Sequence, residues 1–412
     1  MKILHLGYSD TKGGAAISMM RLHKSLVDLN IDSKVLVAEK LSNDPNVIGP
    51  SKSSEVIASE IKKILIRQKK YIYKGNDLYS HSVNFFRSNI VKKINEINPD
   101  IINLHWVNNE LLSINQIGEI KQPIVWTFVD MWPMCGGEHY TNTNRFKTGY
   151  NKDNKDNVKD KIDLDRWLWL KKKKNWSFKI RHIICISEWL KDSAAQSFLF
   201  KDSNITKINC HIDLKVWKPI EKKVARSILD LPNDKKFFLF VSTNGTKDLR
   251  KGFNFIDQSL NNLSKIDNNF ELLILGNAKN LGKKAYNYRI IDKTLDGNPT
   301  ELRLIYSACD LILAPSTLEA FGQIALEGAA CGIPTVAFKE TGLTDIIEHK
   351  VNGYLSNYLE QDDFDKGLEW TINELDINSD KMFKNCLKII EQKFGDNYVT
   401  KQYIELYNSI NQ

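Results

Sequence analysis

The sequence lacks any apolar run long enough to cross a bilayer. Its best candidate, LRLIYSACDLILAP, is split by Asp310 and falls short of the ~18 uninterrupted apolar residues a spanning helix needs. Paired cysteines are also missing. Cys135, Cys185, Cys210, Cys309, Cys331 and Cys386 are scattered, with no Cys-x-x-Cys and no zinc-ligand spacing. In so long a chain they read as reduced thiols of a cytoplasmic protein, and no metal cluster is expected from them. The N-terminal MKILHLGYSD holds too short an apolar stretch for a signal-peptide core and reads as a first buried strand. No internal repeat, low-complexity tract, RNP motif or helix-turn-helix is present, so nucleic acid is not an expected partner. Nor is there a G-x-G-x-x-G with an acidic residue at the distance that marks an adenine-dinucleotide ribose, so a nicotinamide cofactor is not expected.

What is present is ordinary globular composition: 412 residues, 42% hydrophobic and 26% charged. That length suits two domains of about 200 residues better than one core. The excess of Lys+Arg over Asp+Glu, 58 against 50, suits a protein whose ligands are anionic.

Short apolar runs alternate with longer amphipathic segments. Strands are expected at Ile3–Leu6, Ser33–Val37, Ile101–Leu104, Ile124–Phe128 and Ile183–Ile186, with a helix from Ile17 to Leu29. After the polar stretch Asp213–Glu221 the rhythm restarts, with strands at Phe237–Val241, Glu271–Leu275, Leu311–Ala314 and Pro334–Phe338. Strands separated by helices make parallel βαβ units. The expected fold is therefore α/β, two doubly wound Rossmann-like halves joined near residue 215 across a cleft. The charged segment Asn151–Lys161 is expected to be an exposed loop.

Four segments carry chemistry. In APSTLEAFGQIALEGAACGIPTVAF, residues 314–338, a strand end leads through Gly322 into a helix, with Glu319 before the helix and Glu327 two turns inside it. Ligands of open α/β sheets bind outside the carboxyl ends of strands, where free helix N–H groups favour phosphate and carboxylates accept hydrogen bonds from hydroxyls. In TNGTKDLRKGFNFI, residues 243–256, Lys247, Arg250 and Lys251 suit a diphosphate; a lysine-rich loop facing water is the alternative. Gly13 and Gly14 lead from the first strand into a helix, either as a tight turn or to admit phosphate or sugar. VWTFVDMWPMCGGEHY, residues 125–140, offers the aromatic faces and few polar groups of a sugar site. There Asp130 either orients an acceptor hydroxyl or caps a turn, and His139 either serves the site or bonds locally.

Two further stretches have both a functional and a structural reading. RWLWLKKKKNWSF, residues 166–178, combines three Trp with four Lys; Trp167–Trp176 either meets an anionic membrane surface or forms a helix that buries Trp and solvates Lys. Cys210, His211 and Asp213 make a superficial metal corner, but read as structural.

The pattern P-S-x-x-E-x-F-G-x-x-x-x-E-x-x-x-x-G-x-P-x-V strongly resembles retaining glycosyltransferases of family 4, whose fold is called GT-B. SACDLILAPS upstream and IIEHKVNGYL downstream share the likeness, which covers essentially the whole chain. The resemblance implies an N-terminal acceptor domain (1–214), a nucleotide-sugar domain (215–390) and a last helix (391–412) returning to the first. It implies that Glu319 contacts the donor sugar and Glu327 the ribose, with Phe321, Gly322 and Gln323 beside them. Arg250 and Lys251 match the diphosphate-binding R-K-G-F segment, and Gly13–Gly14 the K-G-G-A-A segment. The element D-M-W-P-x-x-G-G-x-H-Y is similar to that of a bacterial polysaccharide-assembly subgroup, where many relatives carry His directly before the Asp; Val129 stands there instead. The expected activity is metal-independent, retaining transfer of a hexose from a UDP- or GDP-sugar to a glycan or lipid-linked acceptor, with no separate cofactor. Glu319, Lys251 and Asp130 are the expected catalytic residues, and the expected place is the cytoplasm or the inner face of the membrane. A non-catalytic binding member, motivated by Val129, and a phosphorylase- or epimerase-like enzyme are the alternatives.

Overall fold

The computed structural model describes residues 1–67, 80–156, 162–176, 179–180, 182–278, 280–291 and 298–411. The chain divides into two compact units, Met1–Cys210 with Thr400–Gln412, and His211–Val399. Both are parallel-sheet α/β domains of Rossmann type, and the expected fold class holds.

In the first unit seven strands pair in parallel: β1 (Lys2–Ser9), β2 (Asp32–Glu39), β3 (Val47–Ile48), β4 (Ile101–Leu104), β5 (Ile124–Phe128), β6 (His182–Cys185) and β7 (Asn204–Lys207). Their order is β3-β2-β1-β4-β5-β6-β7, so the winding reverses between β1 and β4. Central β4 and β5 are wholly buried because helices cover both faces, whereas edge strand β7 alternates exposed and half-buried residues. Helix α1 (Gly14–Asp28) follows β1 and buries Met19, Leu22 and Leu26. The terminal helix Asp396–Asn411 is tied into this unit by polar contacts: Asn103 Nδ2 donates to Tyr407 Oη at 2.6 Å, and Thr400 Oγ1 to Ser25 Oγ at 2.8 Å.

Helix α2 (Leu164–Trp176) bears out the helical reading of the lysine–tryptophan stretch, burying Trp169 and Trp176 and exposing Lys173 and Lys174, with two corrections: Lys172 is buried and Trp167 is exposed. Leu168, Lys172 and Trp176 recur every fourth residue and so share one face. That face is buried, and Trp169 with it. Trp126, Trp132 and Trp176 form an aromatic nest, with ring centroids 5.1 to 6.3 Å apart. The Lys172 ammonium lies 3.7 Å over Trp132 and donates to the carbonyls of Trp132 and Cys135 at 2.5 and 3.0 Å. Burial pushes this ammonium down to about 7, against the opposing pull of neighbouring acidic groups. Lys172, Trp169 and Trp176 therefore cannot face a membrane, while Trp167, Leu170, Lys173 and Lys174 are exposed. Residues 177 and 178 of that stretch lie outside the described residues, as do 157–161 of the charged segment, whose residues 151–156 are exposed or half-buried.

The second unit has six parallel strands: β8 (Lys236–Val241), β9 (Phe270–Leu275), β10 (Asn287–Ile291), β11 (Leu311–Ala314), β12 (Thr335–Phe338) and β13 (Gly353–Ser356). Their order is β10-β9-β8-β11-β12-β13, reversing between β8 and β11. Phe238, Phe240, Leu272, Ile274, Leu313 and Phe338 fill the core beneath helix α3 (Phe253–Leu263). Helix α4 (Gln323–Ala330) follows β11. Among the described residues no helix is long and apolar enough to cross a membrane.

Candidate functional site

The strand order of the second unit singles out the loops after β8 and β11, the adjacent strands at which the winding reverses. In open α/β sheets this reversal leaves a crevice at the strand carboxyl ends, because the following helices go to opposite faces. The segment 243–256 leaves β8, and the segment 315–322 leaves β11.

Backbone contacts lock the two loops together. The amide of Thr317 donates to the Arg250 carbonyl at 2.8 Å, and Arg250 Nη1 donates to the Leu318 carbonyl at 2.9 Å. Gly252 caps α3 at φ 68°, and a Cβ there would run into the Pro315 carbonyl oxygen. Only glycine meets both demands.

On this frame Lys251 Nζ lies 2.5 Å from Glu319 Oε2, with Arg250 Nη1 at 3.7 Å from the same oxygen. Ser316 Oγ donates to it at 3.4 Å. Burial alone would raise the Glu319 carboxyl, but the charges of Lys251 and Arg250, with these hydrogen bonds, hold it below the usual range. The site thus presents an ionised carboxylate and two cations, side by side. Asp248, which the sequence reading passed over, caps the short turn that carries the cations and pairs with Arg250 at 3.3 Å. Lys247 is exposed.

Glu327 is the fifth residue of α4, a little over one turn in rather than two, and is buried with Tyr306 Oη donating to it at 3.3 Å. Phe321 is buried against Phe394, so its ring belongs to the core. Gly322 caps α4 at φ 104°, and the space where a Cβ would stand is filled by Leu343. That glycine is required by the turn and by Leu343, not by room for a ligand on that side. Gln323 is half-buried at the first position of α4. Ser242, directly after β8, is buried with its Oγ unpartnered among the described residues.

Gly13 and Gly14 belong to the other unit, at its own reversal point after β1. Gly13 has φ 85° and ψ 159°, a conformation close to glycine-only, and a Cβ there would meet nothing within 4 Å. The same unit carries Asp130 in the loop after β5. Its Oδ1 accepts the Trp132 amide at 2.9 Å, which caps the turn. Its Oδ2 accepts from Trp106 Nε1 at 2.9 Å and lies 2.6 Å from His139 Nδ1. His139 Nε2 is 2.8 Å from Ser82 Oγ. Asp130 and His139 are both buried, so this is a fixed network holding Trp106, half-buried, after β4. Trp106 was not singled out in the sequence; its position directly after a central strand was the available signal.

Residues 221–386 match the model of the family described as Glycosyl transferases group 1. The chain is 25% identical over 242 residues to an uncharacterized glycosyltransferase of Methanocaldococcus jannaschii, covering 55% of this chain and 59% of that one. It is 34% identical over 160 residues to a D-inositol 3-phosphate glycosyltransferase of Xylanimonas cellulosilytica, covering 35% of this chain and 37% of that one. The chain thus spans less than two thirds of the length of either relative. Among solved structures it is similar to Anabaena HepE in complex with UDP and glucose, with TM-score 0.67 and 17% identity over 99% of this chain and 100% of that one. The family match falls within the second unit, and the likeness to solved structures shows a fold of GT-B type.

Proposed function

We propose that the chain transfers a hexose from a UDP- or GDP-sugar to a hydroxyl of a glycan or lipid-linked glycan, with retention at the anomeric carbon, in assembly of a surface polysaccharide such as lipopolysaccharide. One observation carries the reading: Arg250, Lys251 and Glu319 converge at the switch point of a parallel sheet, with Glu327 in the helix that follows. In this scheme the unit His211–Val399 holds the donor and the unit Met1–Cys210 the acceptor.

Arg250 and Lys251 meet the diphosphate, whose charge grows as the glycosidic bond breaks, so they favour the transition state and the chemistry needs no metal ion. Glu319 accepts hydroxyl hydrogens of the sugar and Glu327 those of the ribose. With Glu319 held in an ion pair, a same-face displacement is preferred over a covalent intermediate. The acceptor oxygen bonds the anomeric carbon as the bond to the β-phosphate breaks, and its proton passes to the leaving diphosphate. Asp130 acts here as a positioning residue, through Trp106 and His139. The polysaccharide role rests on the D-M-W-P resemblance. A peripheral position on an anionic membrane would use exposed Trp167, Leu170, Lys173 and Lys174; failure to float with anionic vesicles removes it.

Val129 supports a second reading, a nucleotide-sugar binder without turnover. Titration with UDP and GDP, followed by a panel of nucleotide sugars and acceptors, separates the two. Transfer is expected, with nucleotide affinity reduced at least about tenfold in Lys251→Ala and Glu327→Ala, since a hydrogen bond to a charged group contributes about 1.5–3 kcal/mol. Unchanged nucleotide binding in both variants would sink the donor-site assignment; binding without any turnover would favour the second reading.

A further inference from the structure

The loop that carries Asp130 ends beside three side chains that the proposed transfer does not use. His81, Glu138 and Asp165 each present one ligand atom, and these atoms lie within 4.8 Å of one another. They come from separate stretches: His81 and Glu138 face each other across an isolated antiparallel bridge, and Asp165 is the second residue of α2. Gly136 and Gly137 bring the loop onto them; a Cβ on Gly136 would stand 2.5 Å from that of Asp165, and one on Gly137 3.1 Å from Asp165 Oδ1.

Hydrogen bonding leaves one carboxylate oxygen of this cluster unsatisfied among the described residues. Glu138 is 3% exposed, and its two oxygens differ. Oε1 accepts the Tyr150 hydroxyl at 2.6 Å, whereas Oε2 is buried with no hydrogen-bond partner among the described residues. A buried carboxylate oxygen without a donor is costly, and a second carboxylate close by adds to that cost. The Lys172 ammonium is committed to the Trp132 and Cys135 carbonyls. His81 Nε2 and Asp165 Oδ1 are 3.7 Å apart. Ligands bound at about 2.1 Å in a tetrahedron sit about 3.4 Å from one another, so the His81–Asp165 pair is already close to that spacing, and the full set, within 4.8 Å, closes by side-chain adjustment on binding. The outer contacts that steady metal-binding carboxylates are in place, from Tyr150 to Glu138 and from the Gly137 amide to Asp165 Oδ1 at 2.9 Å.

We propose that His81, Glu138 and Asp165 bind one divalent transition-metal cation of the zinc type. One imidazole and two carboxylates suit such an ion, and solvent would complete its coordination. Its role is structural, away from the transfer chemistry. It cross-links the bridge at His81, the start of α2 and the loop that presents Asp130 and His139. The spacing of the cysteines gave no hint of this, because none of the three ligands is a cysteine.

The test uses the full chain stripped with EDTA and titrated with zinc chloride by calorimetry, alongside Glu138→Gln and His81→Gln. One equivalent of zinc is expected to bind the unaltered chain and raise its Tm. Both variants should bind more than about tenfold more weakly and gain no Tm from zinc. Glu138→Gln keeps an acceptor for Tyr150 and removes a buried charge, so in EDTA it should melt no lower than the stripped unaltered chain; this separates lost binding from lost folding. Cobalt substitution should give d–d absorption without a thiolate charge-transfer band. Absence of zinc binding, binding by either variant as tight as that of the unaltered chain, or a thiolate band would overturn the proposal.

Discussion

Lys251 donates to Glu319 at 2.5 Å across 68 positions of sequence, and the two side chains retain 15% and 12% of their accessible surface. Each stands in the loop after one of two adjacent central strands, so the ion pair ties β8 to β11 at their carboxyl ends. Removing Lys251 leaves Glu319 with only the more distant Arg250, and removing Glu319 leaves Lys251 without this carboxylate, whereas removing both avoids each cost. Lys251→Met and Glu319→Gln are each expected to destabilise the second unit by about 1–3 kcal/mol, and the double variant by clearly less than their sum. Urea unfolding of the four proteins measures the coupling. Strict additivity would show that the contact carries no energy of its own.

Two glycines provide a contrast between steric and conformational demand. Gly252 combines φ 68° with a Cβ position blocked by the Pro315 carbonyl, while Gly13 combines φ 85° with open space. Gly13→Ala should cost only backbone strain, about 1–3 kcal/mol. Gly252→Ala must in addition move a backbone carbonyl that holds the loop after β11, and should cost more. Under the proposed function Gly252→Ala also displaces Lys251 and Glu319 together, so donor affinity falls with stability. Equal loss of stability in the two variants, by chemical denaturation, would count against the steric account.

The central strands were legible because burial on both faces writes a continuous apolar run, as in Ile101–Leu104 and Leu311–Ala314. Edge strands lack that signature. Asn204–Lys207 and Asn287–Ile291 alternate with solvent and contain polar residues, and both were missed. So were the two-residue strand Val47–Ile48 and the edge strand Gly353–Ser356, which is buried throughout but breaks its apolar run with Gly353 and Ser356. The residue types of the candidate site stand out in the sequence, but the meeting of Lys251 with Glu319 does not, since nothing in local spacing reports a contact between loops from neighbouring strands. Lys172 is the instructive error. A run of four lysines reads as solvated, yet a helix turns through 100° per residue, so one of four consecutive residues can point inward. The spacing Leu168, Lys172, Trp176 marked which one.

A buried pair of histidines contributes to the response of the first unit to acid. His5 on β1 and His105 after β4 lie with Nδ1 and Nε2 3.0 Å apart, at 0% and 4% exposure. Burial lowers His105 to about 3. Burial, then repulsion from His105 and His23, takes His5 well below its ordinary value. Both rings are therefore neutral in the folded unit at pH values where the unfolded chain already binds protons. Below about pH 6.5 the unfolded state holds more protons, so stability is complete above that pH and is lost progressively as pH falls towards the folded values. Each histidine contributes a slope of up to about 1.4 kcal/mol per pH unit. Trp126, Trp132 and Trp176, buried together, report unfolding of this unit by fluorescence. Between pH 6.5 and 5, above the range where most carboxylates titrate, His105→Gln is expected to flatten the dependence by close to one proton, and to ease His5 by removing a neighbouring imidazole. A slope unchanged by that substitution would mean that the pair is not the acid-sensitive element of the unit.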